Sequence, residues 1–168
     1  MVLYQPLVLI RPSKMLRISK LTDYAIMILS RLVLDAQQVV SAAWIAKEVH
    51  LSLPTVSKLL KILAEANLVT SFRGQKGGYQ LARAAADITV ADVVSAIEGK
   101  LAVTECCVSA NACALDSLCA IKENWHVINK MIFSVLAGLT LNDMIRPLAK
   151  TAMTLRGIPV AVKGMEHG

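Results

Sequence analysis

Apolar residues recur at helical spacing between Thr22 and Ala36, where Ala25, Ile26, Leu29, Leu32 and Val33 share a face. Ser41 stands where an N-cap opens a second helix reaching about Val49, with Trp44 and Ile45 turned inward. His50-Leu51-Ser52 reads as a short turn. Ser52 then caps a third helix over 53–66, with Pro54 in the first turn, where a missing N–H costs nothing. Val56, Leu59, Leu60, Ile62 and Leu63 form its apolar face, and Thr55, Ser57, Lys58 and Lys61 its polar and basic face. Asn67 sits where a C-cap belongs. Leu68–Phe72 is strand-like, Arg73-Gly74-Gln75-Lys76-Gly77-Gly78 is a turn with two cations and three glycines, and Tyr79–Leu81 returns as a strand.

Two short helices, a tight turn and a second helix with a basic face describe a helix-turn-helix, a pattern that any αα-hairpin imitates. A hairpin placed directly after it, where a wing belongs, favours a winged helix over a plain surface hairpin. The DNA-binding candidates are Ser52, Pro54, Thr55, Lys58 and Lys61 on the helix, for the major groove, and Arg73, Gln75, Lys76, Gly77 and Tyr79 on the wing, for the minor groove. A phosphate-cradling NTPase loop is disfavoured, because the glycines follow no strand-to-helix transition and no G-K-[ST] is present.

The second half begins with a short helix over 89–98. All four Cys then fall within 14 residues: Glu105-Cys106-Cys107, Cys113 and Cys119, the last three with five residues between neighbours. No C-x2-C pair of a zinc knuckle occurs. Regular wide spacing in a loop suits an iron–sulfur cluster held by thiolates. Zinc held by three Cys and another ligand, a redox disulfide, and buried structural Cys stay open by pattern. For a fourth cluster ligand the candidates are Cys106, Glu105, Asp23, Lys122 and His126. Lys122 would have to lose its proton. Asp23 is a carboxylate in an apolar helix, explained either by ligation or by a favourable helix dipole.

A long helix follows from about Leu118 to Ala137. Ile121, Trp125, Ile128, Ile132, Val135 and Leu139 step by 4, 3, 4, 3, 4, a heptad stripe that predicts packing along another helix and a symmetric dimer. Gly138 ends it, and Thr140 with Asp143 opens a last short helix. The expected architecture is mainly α: a winged helix-turn-helix with a two-stranded wing plus a long C-terminal dimerisation helix.

Composition sharpens the picture in three places. With 168 residues, 55% of them hydrophobic and only 18% charged, the chain can build one aliphatic core, and its longest uncharged apolar run, 131–142, is about 12 residues against the roughly 20 of a membrane span. The net charge of +6 is uneven: 15–83 carries +5 and 84–149 carries −3. A basic half joined to an acidic half fits a polyanion-binding module with a partner module. The chain therefore divides into 1–14, an N-terminal extension that Met15 marks as a possible start-site over-read; 15–83, DNA binding; 84–149, the cysteine loop and dimerisation helix; and 150–168, a flexible tail. No export signal is evident, so a cytoplasmic location with reduced thiols is expected.

The stretch L-R-I-S-K-L-T-D-Y-A after Met15, the helix-turn-helix, R-G-Q-K-G-G-Y-Q-L, Cys107-x5-Cys113-x5-Cys119 and Trp125 together resemble the IscR/NsrR (Rrf-two type) family of bacterial transcriptional regulators over about 15–149. The opening looks most like the branch regulating SUF iron–sulfur assembly. The resemblance implies a homodimeric, non-enzymatic repressor that binds palindromic promoter DNA and holds a [2Fe–2S] or [4Fe–4S] cluster on Cys107, Cys113 and Cys119. IscR-like members place a His where this chain has Lys122. NsrR-like members resemble it in having Asp at the position of Asp23, contributed from the partner subunit, with Cys106 the alternative here. A nitric-oxide-responsive repressor shares all of these features. From another class, a cluster carrier or thiol protein would hold metal and ignore DNA; no catalytic constellation supports an enzyme, since His50, His126 and His167 are scattered.

Overall fold

Three serines open the first three helices. The Ser19 hydroxyl accepts from the Thr22 N–H and starts α1 (Lys20–Leu34). Ser41 accepts from the Trp44 N–H at α2 (Ala42–Glu48), and Ser52 from the Thr55 N–H at α3 (Leu53–Glu65), with Pro54 in the first turn. Each serine satisfies one of the N–H groups a helix start leaves without a partner. His50 and Asn67 follow α2 and α3 with φ of 53° and 55°, a left-handed turn that stops each helix and that Asn and His adopt more readily than most residues. The computed structural model describes residues 18–74, 76–109, 113 and 118–146, with the backbone of 153–155 and 158–160.

After α3 the chain forms an antiparallel hairpin, β1 (Val69–Phe72) and β2 (Gly78–Leu81), with Val69 opposite Leu81 and Phe72 opposite Gly78. Val40, just before α2, adds a bridge: its N–H donates to the Tyr79 carbonyl (3.0 Å) and its carbonyl accepts from the Tyr79 N–H (2.8 Å). This approach explains Gly78, where a Cβ would overlap the Val40 carbonyl oxygen. A Cβ on Gly77 would overlap the Phe72 carbonyl, and Gly74 turns at φ 109°. The wing glycines are thus required by backbone crowding and turn geometry.

The acidic half packs onto this frame. A 3-10 turn (Ala85–Asp87) leads to α4 (Val90–Glu98), opened by a capping box of Thr89 and Asp92. Next come α5 (Glu105–Val108), α6 (Lys122–Ala137) and α7 (Leu141–Met144), the last opened by a capping box of Thr140 and Asp143. The backbone of β3 (Met153–Leu155) pairs with β4 (Ile158–Val160) within the expected tail. Thr89 and Thr140 bridge, with Val90 N–H donating to the Leu139 carbonyl (2.8 Å) and Leu141 N–H to the Ile88 carbonyl (2.9 Å). The bridge seats Ile88 and Leu141, both fully buried, in one core with Ile28, Leu29, Leu32, Ile45, Leu59, Leu60, Leu63 and Val93.

Three elements differ from the expectation. The buried face of α1 centres on Ala25, Ile28, Leu29 and Leu32, leaving Ile26 and Val33 half-buried at its margins. The long helix begins at Lys122 rather than Leu118; its N-cap, Ile121, brings no capping side chain, and the turn before it keeps Cys119 out of the helix. The four-residue α5 had no periodic signal to announce it.

Leu60 is fully buried at the centre of this core. Leu60→Ala is expected to destabilise folding by about 2–5 kcal/mol, read from urea unfolding. The Asp143 carboxylate accepts from the Thr140 hydroxyl (2.7 Å) and the Thr140 N–H (2.8 Å), and these bonds hold its pKa below the usual carboxylate value. A lowered folded-state pKa means this cap stabilises the fold fully above about pH 4 and loses its contribution as pH falls through the folded value. Asp143→Asn is expected to lower the melting temperature at pH 7 and to flatten its decline below pH 4, as thermal scans against pH would record.

Candidate functional site

The polar face of α3 is presented to solvent. Ser52, Pro54, Ser57, Lys58 and Lys61 are exposed, while Val56, Leu59, Leu60 and Leu63 lock the opposite face into the core. Thr55 is half-buried, its hydroxyl 2.8 Å from that of Ser52, so these two side chains are engaged in the cap. At the wing, Arg73 and Lys76 are exposed on either side of the turn, and Gln75 lies outside the described residues. Tyr79 is half-buried and packs against the core, with both backbone groups committed to Val40. Gly77 is held by the tight turn described above. The exposed cations of α3 and the wing tip, Lys58, Lys61, Arg73 and Lys76, make this face electropositive, as a phosphate backbone requires.

Two other cations of this half are occupied structurally. Arg31 pairs with Asp35 (3.0 Å) and Glu48 (3.3 Å) and lies 4.8 Å from the centre of the Trp44 ring, bracing α1 against α2. Arg83 pairs with Asp92 (2.9 Å) at the start of α4. Of the remaining described cations of 18–83, Lys20 and Lys47 are exposed on α1 and α2, and the other four, Lys58, Lys61, Arg73 and Lys76, lie on α3 and the wing.

In the thiol region, Cys106 and Cys107 are both buried on α5, and Cys113 and Cys119 are half-buried. All four are free of disulfides. The Thr104 hydroxyl lies 3.1 Å from Cys106 Sγ and 3.4 Å from Cys107 Sγ, and the Cys107 thiol donates to the Trp125 carbonyl at 3.6 Å. Among the described residues, no three His, Cys, Asp or Glu side chains converge as a metal site. Four unbridged thiols, with five residues of chain between the last three, are a donor set able to close around a polynuclear centre once one is bound.

Asp23 corrects one line of reasoning. It is exposed in the first turn of α1, so no burial penalty demands a ligand for it, and the helix dipole accounts for its charge. Its carboxylate stays accessible to another subunit. The neighbouring Thr22 is fully buried, and its hydroxyl and the Ser19 N–H (3.1 Å) both donate to the Glu98 carboxylate at the end of α4. Glu105 is exposed, and His126 and Lys122 are half-buried on α6.

No residue of α6 is buried. Trp125, Ile132, Val135 and Leu139 of the heptad stripe are half-buried, and the helix packs on α4 and α5. Its open apolar face lies partly to one side of the predicted stripe: Ile121, Val127, Ile128 and Met131 are exposed, by 54, 59, 39 and 52%. Val127 and Met131 are the positions that a single 4-3 stripe overlooked. An exposed apolar ridge of this kind is a candidate interaction surface. No helix among the described residues is long and apolar enough to cross a membrane.

Comparison with known proteins agrees with this geometry. The chain is 35% identical over 122 residues to the protein rrf2 of Nitratidesulfovibrio vulgaris, covering 70% of this chain and 81% of that one. The solved structure of CymR, the global cysteine regulator of B. subtilis, is 30% identical, with a TM-score of 0.64 over 78% of this chain and 97% of that one. The T. potens IscR structure is 31% identical, with a TM-score of 0.60 over 82% and 92%. The family model for Rrf2, described as an iron-dependent transcriptional regulator, matches residues 18–147. With an exposed basic helix, a wing and a long helix in the same order, the chain belongs to the Rrf2 family of winged-helix transcriptional regulators.

Proposed function

We propose that this regulator senses an iron–sulfur cluster, binds palindromic promoter DNA as a cytoplasmic homodimer and represses SUF-type cluster-assembly genes. The observation that carries the reading is the gathering of every thiol of the chain into one segment, 106–119, whose first part, α5, packs on a long helix with an open apolar ridge. Cys107, Cys113 and Cys119 would hold the cluster, [2Fe–2S] or [4Fe–4S], which supplies redox chemistry that thiols alone lack. The resemblance of the chain's opening to the SUF-regulator branch supports the choice of target genes.

The chain's own residues divide the work. Lys58 and Lys61 meet phosphates or guanine edges in the major groove, and Arg73, Gln75 and Lys76 meet the flanking minor groove. The α6 ridge pairs with its copy in a second subunit, setting the distance between two recognition helices. Asp23, exposed on α1, reaches the partner's cysteine loop as the fourth ligand. Ordering of that loop then changes the spacing of the recognition helices and with it the affinity for the operator.

Anaerobically purified protein is expected to be coloured, and its operator affinity in gel shifts is expected to differ between cluster-loaded and cluster-free forms by about 5- to 150-fold. Equal affinity in the two forms would remove the switch; colourless protein that resists reconstitution would remove the cluster. The alternative reading is a nitric-oxide-responsive repressor, which the resemblance of Asp23 to the NsrR-like position supports. A third arm with nitric oxide tests it: release of DNA by the loaded form alone supports that reading. Asp23→Ala is expected to alter or abolish the visible absorption while leaving the melting temperature of the cluster-free protein unchanged. An identical spectrum would return the fourth position to Cys106.

A further inference from the structure

The six residues between α4 and α5, Gly99–Thr104, have no helix or strand of their own, yet Leu101–Thr104 are half-buried. Buried backbone groups need partners, and here one side chain of α6 supplies them. Asn129 Oδ1 accepts from the Val103 N–H (3.0 Å), and its Nδ2 donates to the Leu101 carbonyl (3.2 Å). The two groups are two residues apart, so one amide clamps both and fixes the local path of the loop. Lys100 Nζ donates to the Val108 carbonyl (2.8 Å) and closes the loop's two ends on each other.

The consequence reaches the first thiol of the Cys-x5-Cys-x5-Cys run. Thr104 follows Val103 directly, and its hydroxyl lies between Cys106 and Cys107. Cys107 Sγ also donates to the carbonyl of Trp125, one turn before Asn129 on the same helix. Asn129 adjoins Ile128 of the open apolar ridge. One helix therefore holds the loop that presents Cys107 and, a residue away, the surface that meets a partner. No sequence motif marked Asn129; an Asn within an apolar helix was its only signal.

We infer that Asn129 is the positioning residue that sets Cys107 for cluster binding and links the state of the cysteine loop to the α6 ridge. The inference deepens the cluster-sensing reading and rests on it. Removing the amide frees the Val103 N–H and the Leu101 carbonyl, loosens the loop and uncovers Cys107, which is now 5% exposed.

The test uses full-length protein and the variants Asn129→Ala and Asn129→Asp; the second keeps the acceptor for Val103 and loses the donor to Leu101. In cluster-free protein, alkylation of Cys107 by iodoacetamide, followed by peptide mass spectrometry, is expected to accelerate about ten-fold in Asn129→Ala, with Asn129→Asp intermediate, as the loss of two or one hydrogen bonds increases local opening. In reconstituted protein the cluster is expected to bind with shifted visible circular dichroism, and the ratio of loaded to cluster-free operator affinity is expected to fall toward one. A lowered melting temperature with unchanged Cys107 reactivity and an unchanged affinity ratio would reduce Asn129 to a structural contact and overturn the inference. Wild-type protein carries the control for the broader reading. If it takes up no cluster, that reading fails, while the alkylation arm still reports on whether Asn129 holds Cys107.

Discussion

Burial of α1 between the recognition helix and the α4–α7 pair is the constraint on which the rest of the molecule depends. Ile28, Leu29 and Leu32 are shut off from solvent in a cluster that takes Leu59, Leu60 and Leu63 from α3 and Ile88, Val93 and Leu141 from the acidic half. Each such side chain contributes about 1.5–3 kcal/mol relative to exposure. The Thr89–Thr140 bridge closes this core by pinning the segment before α4 to the segment before α7. The basic face of α3 stands on this core, whereas the thiol-bearing α5 packs on α6 and α6 packs on α4, so the thiol loop adjoins the core through α6. A close-packed interior transmits displacement rather than absorbing it, and this property makes a cysteine loop beside α6 relevant to a helix that faces DNA.

Much of that frame was legible because local signals agreed with one another. The serine caps at 41 and 52, the apolar spacing of α3 and the Thr140–Asp143 box each specify an element within a few residues, whereas the Ser19 cap of α1 was not read. The wing was legible from glycines whose need is now explicit in the crowding of Gly77 and Gly78. Nonlocal pairing was not legible. The Val40–Tyr79 bridge joins residues 39 apart by backbone alone, so no side-chain pattern reports it. The same holds for α5, which is too short to carry a period. Asp23 illustrates a different failure. The helix it belongs to is mostly apolar, but a helix surface is set by angle rather than by composition, and at its angle Asp23 meets solvent.

The exposed apolar ridge of α6 is displaced from the heptad stripe that the sequence predicts. A heptad reading assigns one stripe to one partner, yet this helix has two. One side, with Trp125, Ile132 and Val135, settles toward α4 and α5, while Val127, Ile128 and Met131 stay open. On a helix with 3.6 residues per turn, positions 127 and 131 fall beside 128 and 135, so the two apolar surfaces merge at their margin. The intramolecular surface anchors α6 to α4 and α5, and the other stays open to solvent. The two together need a wide apolar arc, which accounts for Trp125, Val127, Ile128, Met131, Ile132 and Val135.

Energetic scale decides what kind of switch such a molecule can contain. A coupling of about 1–3 kcal/mol between two sites is enough to change an affinity 5- to 150-fold. That is no more than the net contribution of two or three hydrogen bonds and far less than the apolar core contributes. A switch built into α1, α3 or the Thr89–Thr140 bridge would therefore have to disturb interactions much larger than the signal. The cysteine loop has the opposite character: α5 packs on α6, and the hydrogen bonds between loop and helix include the two Asn129 bonds, the weak Cys107–Trp125 contact and the bond from the Lys122 N–H to the Cys119 carbonyl, with the Lys100 bond drawing the loop's ends together. Interactions of that number and size can be made or lost at the cost of a regulatory signal. The partition of the structure into a strongly held core and a lightly held thiol loop is thus the partition that a reversible regulator requires.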